Sequence, residues 1–230
     1  MNRCLNISAI VVAAGSGSRF GSDVPKQFCD IDGTPVVVRA IDALRSAVGG
    51  LKVIVVVSAA EMDRWRRIAM AHGLDGVAVA VGGENRWESV RNGLSLVEGD
   101  ADIVLIHDGA RPLVDAATVR RVVDAAADGD GAIPAVAVTD SLRRLLADGA
   151  SEPVNRAAYR AVQTPQGFPA GKLRRAYSLP YSPLFTDDAS VMADAGFTDL
   201  RIVEGSVYNI KITHPLDLAV AGVYLGHLRD

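Results

Sequence analysis

The sequence predicts an α/β fold, a mostly parallel twisted sheet covered by helices on both faces, with a β-arm protruding from it. Three observations carry that reading. Short runs rich in Val, Ile and Ala recur at Ile7–Val12, Lys52–Val57, 77–81, 103–106 and 132–136. They lack the polar alternation of a half-exposed strand, as expected for parallel strands covered on both faces. Helical patterns fill the intervals at 36–47, 61–72, 87–97 and 115–127, which makes the repeating unit β-α-β and the whole Rossmann-like in layout. The rhythm then fails between 137 and 163, a strand-like stretch with turn signals at Asp140, Asp148-Gly149 and Pro153-Val154-Asn155.

Local signals support the later elements in turn. In the fourth helical pattern Val119, Val122, Val123 and Ala126 share one face, and Asp115 stands where an N-cap belongs. The arm at 137–163 is too small to bury a core of its own, so it is expected to pack on a second copy and make a homodimer. A surface hairpin on a monomer is the alternative. Helical signals return near 170–179 and 187–195, strands are expected at 200–203 and 208–212, and a closing helix at 215–228 carries Pro215 in its first turn.

Bulk properties narrow the function classes. At 230 residues the chain can bury one sizeable core, and 49% hydrophobic with 22% charged residues is the balance of a soluble globular protein. A net charge of −3 spreads no general nucleic-acid footprint, so anions must be bound by local clusters. Cys4 and Cys29 fit neither a metal spacing nor a disulfide framework, which makes a reducing cytoplasm the expected setting. No apolar run reaches membrane-spanning length, and the start lacks the cationic region and cleavage site of a secretory signal. Neither a nucleic-acid nor a membrane partner is expected.

Ligands of parallel sheets bind beyond the carboxyl ends of the strands, and the polar clusters of this chain stand there. The first strand runs into Ala13-Ala14-Gly15-Ser16-Gly17-Ser18-Arg19-Phe20-Gly21, followed by Pro25-Lys26-Gln27. Small residues let backbone N–H groups close around phosphate oxygens, and Arg19 and Lys26 add fixed positive charge. Only four lysines occur in the chain, and two of them sit in turn-like motif positions rather than on helix faces. The loop is no Walker A loop, which needs Gly-x-x-x-x-Gly-Lys-Ser/Thr. Nor is it a dinucleotide fingerprint, because Phe20 occupies the third glycine position.

Four further loops follow strand or helix ends. Gly82-Gly83-Glu84-Asn85-Arg86-Trp87-Glu88-Ser89 offers free N–H groups with Arg86 and Ser89 close by, as either a helix cap or a ligand site. In His107-Asp108-Gly109-Ala110-Arg111-Pro112 the Asp108 carboxylate at a strand end suits a metal ion, and Arg111 can bind an oxyanion bidentately. An Asp108–Arg111 pair that orders the loop is the alternative, and His107 reads as structural. Thr186-Asp187-Asp188-Ala189-Ser190 opens a helix with a hydroxyl cap and two acids. Asn209-Ile210-Lys211-Ile212-Thr213 puts Lys211 inside an apolar strand, where a cation calls for an anionic partner.

Two lysines and several arginines thus gather around one carboxylate and metal position at one sheet edge. No Ser–His or Cys–His pair suggests a covalent nucleophile. Transfer at phosphorus needs positioned reactants, in-line geometry and stabilised charge. An acceptor that is itself a phosphate monoester is largely ionised at neutral pH, its second pKa being near ~6, and requires no general base. The pattern is consistent with nucleotidyl transfer to a sugar phosphate.

Taken together these loops resemble the 2-C-methyl-D-erythritol 4-phosphate cytidylyltransferase family of the non-mevalonate isoprenoid pathway. The resemblance covers nearly the whole chain, through the Ala13–Arg19 loop, Pro25-Lys26-Gln27, Gly83-Glu84-Asn85-Arg86 with Ser89-Val90, and the His107–Pro112 loop. It continues through Gln163-Thr164-Pro165-Gln166, Thr186-Asp187-Asp188-Ala189-Ser190 and Asn209-Ile210-Lys211-Ile212-Thr213. It implies a single nucleotidyltransferase domain over 1–230 that converts CTP and methylerythritol phosphate to the CDP-alcohol and pyrophosphate with Mg²⁺. It places Arg19, Lys26 and Lys211 around the triphosphate and the transition state. Cytosine would meet the backbone near Ala13, Ala14, Gly82 and Gly83, together with Ser89, while Gly15, Gly17 and Arg86 complete the nucleotide set. Asp108, Arg111 and Thr186 would face the acceptor, with Asp108 also near the metal.

By the same likeness Ser141 and Arg156 on the arm would reach the neighbouring subunit's site. Ser141 stands where the family usually has threonine, and Gly109 where it has alanine or serine. No cyclase domain is expected beyond the closing helix. The related cytidylyltransferase acting on ribitol 5-phosphate is the nearest rival, and a nucleotide-binding regulatory module without catalysis is a rival of a different class.

Overall fold

In the computed structural model, which describes residues 5–15, 20–21 and 24–228, the chain opens with β1 (Ile7–Val12) and a single 3-10 turn at Lys26–Phe28. A small hairpin follows, β2 (Asp30–Ile31) and β3 (Thr34–Pro35), whose corner residues Asp32 and Gly33 both have positive φ, at 47° and 71°. Asp-Gly is the pair that tolerates such a corner. The alternating series then runs α1 (Val36–Ala47), β4 (Lys52–Val57), α2 (Met62–Ala71), β5 (Ala78–Val81), α3 (Arg86–Leu94), β6 (Ile103–Asp108), α4 (Ala116–Ala127) and β7 (Gly131–Ala137). After it come β8 (Arg143–Leu145), β9 (Ser151–Pro153), β10 (Arg160–Val162), β11 (Gln166–Pro169), α5 (Ala170–Ala176), α6 (Asp188–Asp194), β12 (Leu200–Glu204) and α7 (Leu216–His227).

The main sheet has eight strands, ordered β10-β7-β11-β6-β1-β4-β5, with β12 also paired to β7. β1 pairs in parallel with both β4 and β6, β4 with β5, and β12 with β7. The period of two along the strands sorts their side chains between the faces. Ala9 and Val11 of β1 pack with Ile41 and Leu44 of α1, Trp65 of α2 and Val119 and Val122 of α4. Ile10 turns the other way, toward Val90 and Leu94 of α3, Leu173 of α5 and Met192 of α6. A third cluster joins Ile31, Val36, Leu113 and Ile212 to Ala221 of α7.

Two sequence expectations need correction, and one strand was not expected at all. No strand forms at 208–212; that segment is an extended loop held by side chains and by the Ile212 N–H donating to the Ala110 carbonyl at 2.8 Å. The stretch 137–163 does not leave the sheet throughout, because β10 returns and pairs antiparallel with β7, Val162 opposite Ala135. Only β8 and β9 form a separate ribbon. And β11, antiparallel between β6 and β7, gives no strand signal in its Gln-Gly-Phe-Pro sequence. Packing explains it: a Cβ on Gly167 would lie 2.7 Å from Val122 Cγ1 and 3.1 Å from Leu105, so only glycine lets this strand pass beneath α4.

Candidate active site

From β1 the chain passes outward to β4 and β5 on one side, then crosses back from β5 to β6 on the other side of β1, so a crevice opens where the strand order switches. Backbone bonds align the loops there. The Ala13 N–H donates to Val56 O at 2.8 Å, Gly82 N–H to Val57 O at 2.8 Å, and Gly109 N–H to Val12 O at 2.9 Å. The crevice holds a cleft of about 490 Å³ lined by Ala13, Ala14, Gly15, Lys26, Gly83 and Ser89 among others. A smaller cavity of about 300 Å³ is lined by Arg111, Gln163, Thr164 and Thr186. Arg86, Asp108 and Lys211 line both.

Asp108 ends β6, a strand whose six residues are all buried, which fixes its position. Lys211 Nζ lies 2.9 Å from Oδ2, Arg111 Nε 3.5 Å from the same oxygen, and Arg86 Nε 3.7 Å from Oδ1. Burial opposes ionisation of this carboxyl, but the charges of Arg86, Lys211 and Arg111 prevail and hold it well below the usual carboxylate range. Lys211 thus has the anionic partner its sequence setting called for, although it lies in a loop and its side chain is 43% exposed. Arg111 also donates to Asn209 O at 2.7 Å, and burial pushes its guanidinium down against the pull of Asp108.

His107 is structural, as its strand-end setting suggested. The Asp108 N–H donates to Thr164 Oγ1 at 3.0 Å, and that hydroxyl lies 3.1 Å from His107 Nδ1. Nε2 lies 3.0 Å from the Arg111 carbonyl, which can only accept, so Nε2 carries the proton and Nδ1 accepts from Thr164. Burial lowers the His107 pKa to about 4 and keeps the ring neutral.

Beside the β1 loop, Gln27 is a residue that motif reading quotes without assigning. Its buried amide donates to Ala13 O at 2.7 Å and Gly15 O at 3.1 Å, so those carbonyls face the protein. A Cβ on Gly82 would stand 2.4 Å from the Ala14 Cβ, which makes glycine necessary for this close approach. Ser89 Oγ accepts from the Gly83 N–H at 3.1 Å and donates to Asn85 O at 2.9 Å, shaping the turn that borders the cleft. Asn85 caps α3 through Glu88 N–H. Arg19 and Gly17 lie outside the described residues.

Arg86 makes a two-pronged pair with Asp188, at 2.9 and 2.6 Å. Asp188 was legible only as a helix-start acid; the cap of α6 is Asp187, not Thr186, in a capping box with Ser190. The signal available was the doubling of acids where one suffices for a cap. Ser141 and Arg156 are not brought to the cleft: both are exposed, and Arg156 donates to the carbonyl of Thr139.

A β-α-β sheet whose switch-point crevice combines a small-residue loop, Lys26, Lys211 and one deeply set carboxylate defines a nucleotidyltransferase. The sequence profile described as IspD, 2-C-methyl-D-erythritol 4-phosphate cytidylyltransferase, matches residues 7–227. A Bacteroides fragilis protein bearing that enzyme's name is 43% identical over 219 residues, 95% of this chain and 99% of that protein. The crystal structure of the Thermus thermophilus protein of the same name superposes with a TM-score of 0.74 at 30% identity, covering 95% of this chain and 98% of that one. A 4-diphosphocytidyl-2C-methyl-D-erythritol synthase from Anaerococcus prevotii shares the fold, with a TM-score of 0.82 at 24% identity and 96% coverage of both chains. The chain belongs to the 2-C-methyl-D-erythritol 4-phosphate cytidylyltransferase family.

Proposed function

We propose that this chain transfers CMP from CTP to 2-C-methyl-D-erythritol 4-phosphate, giving 4-diphosphocytidyl-2-C-methyl-D-erythritol and pyrophosphate by in-line attack at the α-phosphorus. The observation that carries the reading is Asp108, a buried carboxylate ringed by Lys211, Arg111 and Arg86 on the wall common to two cavities. The larger cavity, with its small-residue loop and Lys26, suits a nucleoside triphosphate; the smaller, with Arg111 and Thr186, suits a phosphate monoester. The acceptor arrives ionised, so alignment and charge stabilisation are sufficient catalysis.

In this reading Arg19, Lys26 and Lys211 offset the charge that develops around the α-phosphorus. The backbone at Ala13, Ala14, Gly15, Gly17, Gly82 and Gly83, shaped by Ser89 and Arg86, accommodates the nucleotide. Asp108, Arg111 and Thr186 orient the acceptor. Mg²⁺ fits as an ion that arrives with the triphosphate. Among the described residues no group of three His, Cys, Asp or Glu could hold a metal by itself. Magnesium in nucleotide sites takes one or two carboxylates alongside phosphate oxygens and waters, and Asp108 would supply the carboxylate. Its chemistry would be to offset triphosphate charge.

A homodimer completes the reading. It is supported by exposed apolar side chains on the arm, after β12 and on α7, Leu145 at 80%, Val207 at 69%, Leu216 at 72% and Val223 at 62% exposure. A second copy would cover them and bring Ser141 and Arg156 to its neighbour's acceptor cavity. A cytoplasmic setting agrees with the free Cys29 and with the lack, among the described residues, of a helix long and apolar enough to cross a membrane.

Pyrophosphate release tests the assignment, with CTP, ATP, GTP or UTP as donor and methylerythritol phosphate or ribitol 5-phosphate as acceptor. Release with CTP and the erythritol phosphate alone is expected. Release with ribitol 5-phosphate instead would keep the chemistry and overturn the acceptor, which the family match disfavours.

A further inference from the structure

Arg86 begins α3 and Asp188 begins α6, 102 positions away in the chain. The guanidinium donates through both terminal nitrogens to the two carboxylate oxygens, the fork-to-fork geometry of a strong ion pair. Asp188 is fully buried, and Tyr177 Oη donates to the same carboxylate at 2.6 Å. Asp187 beside it accepts from Gln166 Nε2 at 2.8 Å, while the Ala189 N–H donates to Gln166 Oε1 at 3.0 Å. The loop carrying Thr186 is therefore tied at its base to β11 and, through Asp188, to the start of α3.

Helix capping does not account for Asp188, because Asp187 and Ser190 already form the capping box. A fully buried carboxylate is costly unless paired, and this one meets its partner at Arg86, on the wall the two cavities share. With both terminal nitrogens of Arg86 turned to Asp188 and Nε toward Asp108, the guanidinium faces protein groups on two sides.

We propose that Asp188 is a positioning residue for the transfer reaction: through Arg86 it holds the acceptor side of the cleft in register with the donor side. The inference rests on the reaction assigned above, and it makes Arg86 a strut between the two half-sites rather than a nucleotide ligand. In-line displacement requires the acceptor oxygen to face the α-phosphorus, and a displacement of about 1 Å can lower the rate about 100-fold. Loss of the strut therefore falls on turnover. CTP binding is spared, since the larger cleft takes none of its lining from α6 or the loop before it.

Asp188→Asn keeps the side-chain shape and removes the charge. Three measurements decide the matter: thermal unfolding, CTP affinity by calorimetry without acceptor, and kcat by pyrophosphate release. The expected result is a folded protein with CTP affinity within about threefold of wild type and kcat lowered about 100-fold. A matching loss of CTP affinity overturns the proposal by making Arg86 a nucleotide ligand, and unchanged turnover in the folded variant overturns it too. Should Asp188→Asn fail to fold, Tyr177→Phe carries the test at smaller amplitude by removing one hydrogen bond from Asp188. A kcat lowered about fivefold at unchanged CTP affinity then supports the proposal, and unchanged kcat overturns it. The wild type in the same assay separates the two claims. Its silence overturns the reaction assignment and this role with it, whereas an active wild type beside an equally active Asp188→Asn overturns the positioning role alone.

Discussion

Asp108 ends a strand whose six residues are all buried, whereas Arg156 sits in a stretch, 137 to 162, in which no residue is buried. Both are charged groups that the proposed reaction would use, yet they are placed by opposite means. The carboxylate is fixed by ladders to β1 and β11 and by three cations within 3.7 Å. The arm is held by a three-residue pairing, Arg143 to Leu145 against Ser151 to Pro153, and by local side-chain bonds. A sheet can orient a charge within one chain, because burial on both faces leaves it one conformation. A two-stranded ribbon without a core is marginal alone, and the proposed dimer would complete its geometry.

The largest test strikes the rigid side. Lys26→Ala should lower kcat about 100- to 1,000-fold while changing CTP affinity far less, as for a donor that acts on the transition state. Steady-state kinetics beside calorimetry check it, and an equal loss in affinity alone would count against that role.

A second test probes how firmly the rigid side is built. His107 is neutral in the fold, its pKa lowered by burial from 6.5 to about 4. The unfolded chain takes up a proton at a higher pH than the folded one, so stability is full above pH 6.5 and declines as pH falls toward 4. That shift corresponds to ~3 kcal/mol. His107→Gln should flatten this window in denaturant melts. It should leave the further loss below pH ~4, where Asp108 of the unfolded chain takes up a proton that the depressed carboxyl of the fold accepts only at much lower pH. A slope between pH 4 and 6.5 that survives the substitution would assign it elsewhere.

The flexible side is tested by mixing. Arg156→Ala and Lys26→Ala subunits, each inactive alone, should regain roughly a quarter of wild-type activity on exchange, because one site of each mixed dimer receives two intact contributions. No recovery would mean that each site is built within one chain. The smallest expected effect is on stability: Leu145→Asp, at a side chain 80% exposed, should change monomer stability by no more than ~0.5 kcal/mol. Sedimentation should nonetheless show a weakened dimer, and unaltered association would remove the arm from the interface.

Legibility in the sequence follows the same division. The strands β1, β4, β5, β6 and β7 and the helices between them were readable because apolar runs and 3.6-residue patterns are local properties. Asp108 and Lys211 were readable as a carboxylate at a strand end and a cation among apolar neighbours. Their 2.9 Å contact answers the charge that each setting left unbalanced. β11 was not readable, since Gln-Gly-Phe-Pro has poor strand propensity and is a strand only because β6 and β7 leave a slot that Gly167 fits. The segment 208–212 misled in the other direction. Its apolar residues face a hydrophobic cluster as a strand's would, but Asn209 is fully buried and bonded through its side chain to Thr164 O.

What the sequence determined by itself was the order of the elements and the chemistry of the strand-end loops, because both depend on residues within a few positions of one another. Only the tertiary structure decided that Gln27 turns the Ala13 and Gly15 carbonyls inward, that Arg86 on the cleft wall is taken by Asp188, and that β10 rejoins the sheet. The longer of these contacts join residues up to 102 positions apart. Among many buried or half-buried polar groups, which one meets which is set by how strands and helices pack, and no local pattern records it.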